Sequence, residues 1–428
     1  MTVAKPRLLL VDAPGGPQPE ELRDSLSDVG SVHVLMVRWG DEAQVARRRE
    51  PLAALGPVTM VARPDHVVEF GVALGAEHRF DGVIAFSELV AMQAGLLANL
   101  LAVPSSPPSA TLATKHKDLQ RALLAANGVP SPVYRVVRDP ADLAACHDLT
   151  FPVILKPAAG VSSFCVVRAK DPAELVRRHA DAVERFLSHP VSNGVAPVFL
   201  VEEEVVGQRW HADERFGTQV SVESIVHRGV CHHIGVTDKT PMVKDFREEG
   251  HFTPTALPAA AVSAVTDVAT RAITAVGLTT GAVHTELMLT EGGPVVLEVN
   301  GRVGGSVYGL MKYAYGCDVI RAVAENAVGI APRPTGPALV HAASIRTQPP
   351  AGRFRVAAVD DHLVADGLRR TTWGMLDKPV GTEFDTGDGS ASNLARYVAT
   401  AASGDELFAT VEQVNKSIRA AVTLEPLP

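Results

Sequence analysis

The sequence predicts an α/β protein whose central part is α+β. Short apolar runs alternate with segments of helical spacing over about the first hundred residues, as parallel βα units require. Between residues 151 and 239 the runs alternate apolar with polar positions, as antiparallel strands do. From residue 284 two apolar runs flank a turn and read as a hairpin. The expected organisation is an N-terminal parallel α/β domain at 1–112, a core at 113–332 with a smaller subdomain at about 150–205, and a C-terminal α+β domain at 333–428.

RLLLV (7–11), HVLMV (33–37), PVTMV (57–61) and GVIAF (82–86) are the expected N-terminal strands. EELRDSL, HVVEFGVAL and SELVAMQAGLLANLL have the helical spacing between them. APGGP, after the first strand, lacks the G-x-G-x-x-G pattern and reads as an ordinary loop. VPSSPPSAT (103–111) reads as a linker, and a helix follows from Lys115 to Asn127, ended by Gly128. Further strands are expected at 151–157, 165–169, 198–205, 218–227 and 230–239, and a helix from Ala259 to Val276. GDELFATVEQVNKSIRAAV closes the chain as a helix.

Of the 428 residues 46% are hydrophobic and 21% charged, an ordinary globular balance. The net charge is −8 with no Lys/Arg cluster, which argues against nucleic acid as a partner. Four scattered cysteines without a CxxC pair suit a reduced, cytoplasmic chain. The N-terminal apolar run is too short for a signal peptide, and no membrane-spanning stretch is expected.

The hairpin HTELMLTEGGPVVLEVNGRVGG (284–305) carries the chemistry. Pairing Leu289 with Val295 sets Glu286 opposite Glu298 and His284 opposite Asn300. Those four share one face; Thr285, Leu287, Leu297 and Val299 take the other. Glutamates facing each other at roughly 5 Å between Cβ atoms repel, so something positive belongs between them. Hard carboxylate oxygens that share a shell with phosphates point to Mg2+, with Asn300 as a neutral oxygen donor. Arg302 suits bidentate contact with the same phosphate. A solvated edge hairpin is the plain alternative.

Lys156 ends an apolar strand before the small-residue loop AAGVSS, which lets backbone N–H groups approach phosphate oxygens. Lys117 alone would pass for a surface lysine. Glu202, Glu203 and Glu204 follow an apolar run; a strand turning into a loop there can offer backbone groups and a carboxylate to a planar base. One inward and two solvated acids is the other reading.

Taken in order, Lys117, ILKP with its small-residue loop, VEEEVVG, HTE and LEVNGR resemble the ATP-grasp superfamily over roughly residues 80–350. KDFREEGHFTP, HTELML and NGRVGGSVYGL look most like its bacterial L-amino-acid ligases. The resemblance implies two α+β subdomains clamping ATP. It places Lys117 and Lys156 on the α- and β-phosphates, Ser163 in the lid loop, Glu202 through Val205, Glu203 included, at the adenine, and Glu223 at the ribose. It places Glu286, Glu298 and Asn300 on two Mg2+ ions, with Mn2+ as a substitute, and Glu298 bridging them. Arg302 would face the γ-phosphate and the acyl-phosphate; Gly304, Gly305 and Ser306 would line the carboxylate substrate, and His284 stands beside the metal glutamate without a clear role. Phe164 and Cys165 depart from the basic residue and glycine usual in the lid loop, and QRWHADERFGT (208–218) looks like an insertion.

The implied reaction joins a carboxylate to an amine through an acyl-phosphate, giving ADP and phosphate. Carboxylase or purine-pathway chemistry on bicarbonate or formate, and a non-catalytic nucleotide-binding module, are the alternatives. Trp210, His211 and residues 244–254 are the expected lining of the acceptor pocket. The partners implied are small carboxylates and amines, with no nucleic acid or membrane, and homodimer formation is left open.

Overall fold

The computed structural model describes residues 5–160, 163–188, 197–244, 246–305 and 307–427. The chain opens with β1 (Arg7–Asp12), α1 (Pro19–Leu26), β2 (Ser31–Val37), α2 (Glu42–Ala53), β3 (Val58–Val61), α3 (Val67–Glu77), β4 (Gly82–Ala85) and α4 (Ala91–Leu100). The strands form a parallel sheet in the order β3-β2-β1-β4. The continuous apolar run of β1 follows from cover on both faces. Leu8 and Leu10 join one core with α1 and α2, and Leu9 and Val11 join another with Val67 and Leu97. Helix α2 is absent from the sequence reading. Its signal is a capping box, in which the Asp41 side chain accepts from Gln44 N and the Gln44 side chain returns to Asp41 N.

The segment expected as a linker already begins α5 (Pro108–Lys115), and α6 (Lys117–Ala126) follows after a break at His116. Two helices therefore stand where one was expected. Pro108 suits a helix start because its missing N–H is not needed there. The break lets Lys117 N donate to Ala158 O at 2.8 Å, tying α6 to the next module.

That module holds β5 (Tyr134–Val137), β6 (Val153–Pro157), β7 (Val167–Ala169), α7 (Pro172–Ser188) and β8 (Phe199–Glu203), with the antiparallel order β5-β8-β6-β7. It starts earlier than residue 150, because β5 pairs with β8. The strand expected at 165–169 begins only at Val167, since Cys165 takes φ +57°, outside the extended region.

The rest comprises β9 (Gln219–His227), β10 (Val230–Lys239), β11 (Gly250–Thr253), α8 (Ala259–Val276), β12 (Thr280–Thr290), β13 (Gly293–Asn300), α9 (Val307–Tyr315), α10 (Val319–Ala327) and β14 (His341–Thr347). After these come β15 (Arg353–Val359), α11 (Asp361–Leu368), β16 (Trp373–Leu376), β17 (Glu383–Asp385), β18 (Ala395–Ala401), α12 (Gly404–Ala421) and β19 (Val422–Pro426). One sheet runs β13-β12-β9-β10-β11-β14-β18-β16, and a small sheet runs β17-β15-β19. The segment expected as a separate domain from 333 thus shares the main sheet with the core, because β14 pairs with β11. Helix α8 is, against expectation, long and apolar enough to cross a membrane. Here Val265, Ala269, Ala272 and Ile273 are buried against Val220, Val222, Val283 and Val299 of the sheet.

Candidate active site

The β12–β13 hairpin pairs Glu286 with Glu298 and His284 with Asn300, as the alternation predicts. Nearer the turn the register differs. Leu287 pairs with Val296 and Leu289 with Pro294, so a bulge at Leu297 absorbs one residue. Val296 therefore takes the buried place expected of Leu297. The bulge leaves the Leu297 carbonyl to accept from Arg121 Nη2 at 2.6 Å. Gln120 closes the same edge strand: its amide donates to Val299 O and accepts from Val299 N, both at 2.8 Å. With both groups engaged, the backbone of this edge is not left open.

Register carries the polar face far beyond the hairpin. Glu298 and Glu286 stand in one row with Ser221 of β9 and Thr237 of β10; Asn300 and His284 stand in the next with Glu223. Further along, Lys239 pairs with His251, His251 with Ser344, and Arg346 with Arg396. The opposite face buries Val220, Val222, Leu287 and Val299 in one core and Phe252, Ala343, Ile345 and Tyr397 in another.

The two acids are neutralised separately. Lys117 Nζ lies 2.8 Å from Glu298 Oε1. Lys239 Nζ lies 3.3 Å from Glu286 Oε2 and also pairs with Glu248. His284 bridges Glu223 Oε1 at 2.5 Å and Glu286 Oε1 at 3.1 Å. Burial alone would lower the His284 imidazolium, but Glu223 and Glu286 raise it to about 9. Burial likewise opposes the charge on Glu286, yet Lys239 and His284 hold it well below the carboxylate range. Glu223, expected at the ribose, belongs to this network, with Ser221 as its other partner at 3.1 Å. Its Oε2 is buried without a hydrogen bond among the described residues.

A second group of charges sits where α6 meets the four-stranded sheet. Glu202 is buried, accepting from Arg121 Nε at 2.8 Å and paired with Lys156 Nζ at 2.8 Å. Burial would raise Glu202, but Arg121 and Lys156 hold it below its ordinary value. Burial lowers Lys156; Lys117 is raised in spite of burial, chiefly by Glu298. Glu203 accepts from Thr150 N at 2.8 Å and Glu204 from Arg168 Nε at 2.8 Å. One acid points inward and two lie half-buried, so the Glu202 side chain is committed to cations. The N–H groups of Glu203 and Glu204 donate to Val133 and Pro152, while that of Val205 makes no hydrogen bond among the described residues. Ser163 adopts φ +60° beside Phe164, which packs on Phe186.

Arg302 donates through Nε to Glu88 Oε2 at 2.6 Å and reaches Asn300 Oδ1 from Nη2 at 3.5 Å. Glu88, on the loop after β4, also holds Lys115 at 3.3 Å. Against its burial, Arg302, Lys115 and Lys117 keep Glu88 below its ordinary value. The glycines after Arg302 allow close approach. A methyl group on Gly304 would come within 2.7 Å of His284 Nδ1, and one on Gly305 would lie 3.4 Å from Arg346 Nη2. Ser306, and Asp245 in the 244–254 segment, lie outside the described residues.

Trp210 and His211 do not line this face. Trp210 packs on the α8 core and donates to Thr290 O at 3.1 Å; His211 is fully buried, 2.9 Å from Asp238. Sequence reasoning missed Glu88, Gln120, Arg121 and Lys239 as members of the cluster, whereas Glu248 lies in the 244–254 segment that it named. Lys239 had a signal, as a lysine ending an alternating strand; the other missed residues have none short of the fold. Among the described residues no group of three or more His, Cys, Asp or Glu side chains is arranged to hold a metal. Two facing carboxylates and an amide nevertheless fit Mg2+, which takes one or two carboxylates and completes its shell with phosphate and water.

The ATP-grasp domain profile matches residues 149–309. The uncharacterized protein y4rH of Sinorhizobium fredii is 30% identical over 60% of this chain and 50% of its own length. Mouse carnosine synthase 1 is 27% identical over 59% of this chain and 31% of its own. The chain thus spans about half the length of the first relative and about a third of the second. The crystal structure of an L-amino acid ligase from Bacillus licheniformis superimposes with a TM-score of 0.80 at 19% identity, covering all of both chains. Residues 149–309 thus match the ATP-grasp domain, and the chain as a whole has the ATP-grasp fold.

Proposed function

We propose that the protein is an ATP-dependent carboxylate–amine ligase that joins an amino acid or similar carboxylate to an amine, releasing ADP and phosphate. The observation that carries this reading is the facing pair Glu286 and Glu298, with Lys117, Asn300 and Arg302 on the same edge. That is an arrangement of charge for phosphoryl transfer, which needs positioning and neutralisation more than a protein nucleophile. The sequence likeness to carnosine synthase 1 and the fold shared with an L-amino acid ligase support this reading.

In this reading Glu286, Glu298 and Asn300 hold Mg2+, which when bound neutralises the β- and γ-phosphates. Lys117 and Lys156 exchange their carboxylate partners for phosphate oxygens. The free Val205 N–H meets the adenine edge, and Ser163 closes with the lid loop over the phosphates, excluding water. Arg302, held by Glu88, orients its remaining guanidinium N–H groups toward the transferring phosphoryl. A substrate carboxylate oxygen attacks the γ-phosphorus and the bond to the β-bridging oxygen breaks, releasing ADP. The amine nitrogen of the second substrate then attacks the acyl carbon, the carbon–oxygen bond to phosphate breaks, and the amine proton passes to solvent. Gly304, Gly305 and Ser306 are assigned to the carboxylate substrate, and Glu223 to the positioning of His284.

The test is phosphate release from ATP and Mg2+ with single amino acids and pairs of them, with hydroxylamine added to trap the acyl-phosphate as a hydroxamate. Amino-acid-dependent release with hydroxamate is expected. Release driven by bicarbonate alone would replace this reading with a carboxylase.

A further inference from the structure

Cross-strand neighbours Arg346 and Arg396 place two like charges directly opposite on the polar face, which costs stability unless anions offset them. Arg396 is offset: Asp377 accepts from its Nε at 2.8 Å and from its Nη2 at 2.9 Å. Arg346 is not. Among the described residues its guanidinium makes no hydrogen bond or ion pair, although it is half-buried. Glu248, Asp377 and Tyr308 lie within electrostatic reach. Glu248, however, is engaged by Lys239 and by His251 at 3.4 Å, and Asp377 by Arg396.

The direction of Arg346 follows from its strand. Ala343 and Ile345 face the α12 core, so Ser344 and Arg346 face the side that holds Lys239, His251 and His284. The guanidinium abuts Gly305, while the preceding Gly304 abuts His284. One turn therefore stands between the acidic hairpin and this arginine. Burial, and then the Arg396 charge, lower Arg346 from its ordinary value, so a bound anion would relieve it.

We propose that Arg346 receives the carboxylate of the amine-bearing substrate, selecting amino carboxylates over amines that lack the acid. The assignment rests on the ligase reading above. Arg302 serves the carboxylate that is phosphorylated; Arg346, across the Gly304–Gly305 turn, serves the one that is not.

With a donor first identified by hydroxamate formation, the proteinogenic amino acids and their α-amides are compared as acceptors for the wild type and for Arg346→Gln. Amidation removes the negative charge and keeps the amine. Wild type is expected to prefer the acids at least tenfold in kcat/KM. Arg346→Gln should raise KM for the acids by about 10- to 100-fold, leave the amides unchanged and keep donor-dependent hydroxamate formation within about twofold. Arg346→Lys should fall between, as a point charge without the fork, and carries the same comparison if the glutamine variant fails to fold. Equal use of amides by wild type, an unchanged acceptor KM in the variants, or loss of hydroxamate formation would overturn the assignment while leaving the ligase reading standing. Absence of hydroxamate and of amino-acid-dependent phosphate release in the wild type would overturn both.

Discussion

Glu286 and Glu298 face each other across the β12–β13 hairpin, and each is matched by its own lysine, Lys239 at 3.3 Å and Lys117 at 2.8 Å. The lysines do in this state what cation and nucleotide are proposed to do during turnover. Both arrive from elsewhere in the chain, one from β10 and one from the first turn of α6.

Glu298→Gln keeps the shape of the side chain and removes its charge. We expect the variant to fold, with a melting temperature within a few degrees of wild type, and to lose at least about 100-fold in ATP turnover. Amino-acid-dependent phosphate release measures this. Near wild-type turnover would remove Glu298 from the metal site.

Lys239→Met leaves Glu286 and Glu248 without their shared cation. Removing one partner of a buried pair costs about 3–5 kcal/mol. Unfolding by urea without divalent metal should show that loss. Added Mg2+ should stabilise the variant more than the wild type, because the metal then supplies the missing charge. An equal Mg2+ effect on both proteins would mean that Glu286 does not meet the ion.

Glu202→Gln tests the second charge group through its pH dependence. The folded-state carboxyl lies below its ordinary value of 4.5, held there against burial by Arg121 and Lys156. A depressed acid contributes stability that is present above the unfolded value and is lost as pH falls through the folded one. The variant should therefore be less stable than wild type at pH 7, and the gap should narrow as pH drops below about 4.5. Chemical unfolding at pH 7 and pH 4 measures it; a gap that widens in acid contradicts the assigned charge state.

Gly304→Ala inserts a methyl group within 2.6 Å of Val307 Cγ2 and 2.7 Å of His284 Nδ1. Overpacking of this kind costs about 1–3 kcal/mol. It should also disturb the His284–Glu223 contact. Gly336→Ala meets nothing within 4 Å and serves as the control, with a change of about 0.5 kcal/mol or less. Thermal melts of the two variants compare them, and equal melting temperatures would show that the loop yields freely.

Short-range pattern was legible wherever periodicity decided the outcome. The β1 run and the alternation of β12 and β13 follow from which faces are buried, and the Glu286–Glu298 facing follows from period two. The bulge at Leu297 was not legible, because it answers to Arg121 and Gln120 in α6, more than 170 residues away. Helix α2 was missed because its apolar stripe is thin and only its capping box marks it. Trp210 and His211 look like pocket residues in isolation; the packing of α8 and the buried Asp238 claim them instead.

By itself the sequence determined the strand and helix alternation, the acidic hairpin and the order of motifs, since these depend on local spacing and residue chemistry. Only the tertiary structure decided which cation stands beside which acid, that β14 and β18 extend the same sheet, and that Arg346 has no hydrogen-bond or ion-pair partner for its guanidinium among the described residues. Those outcomes depend on strands that are distant in sequence and adjacent in the sheet, and sequence spacing carries no record of which strands become neighbours.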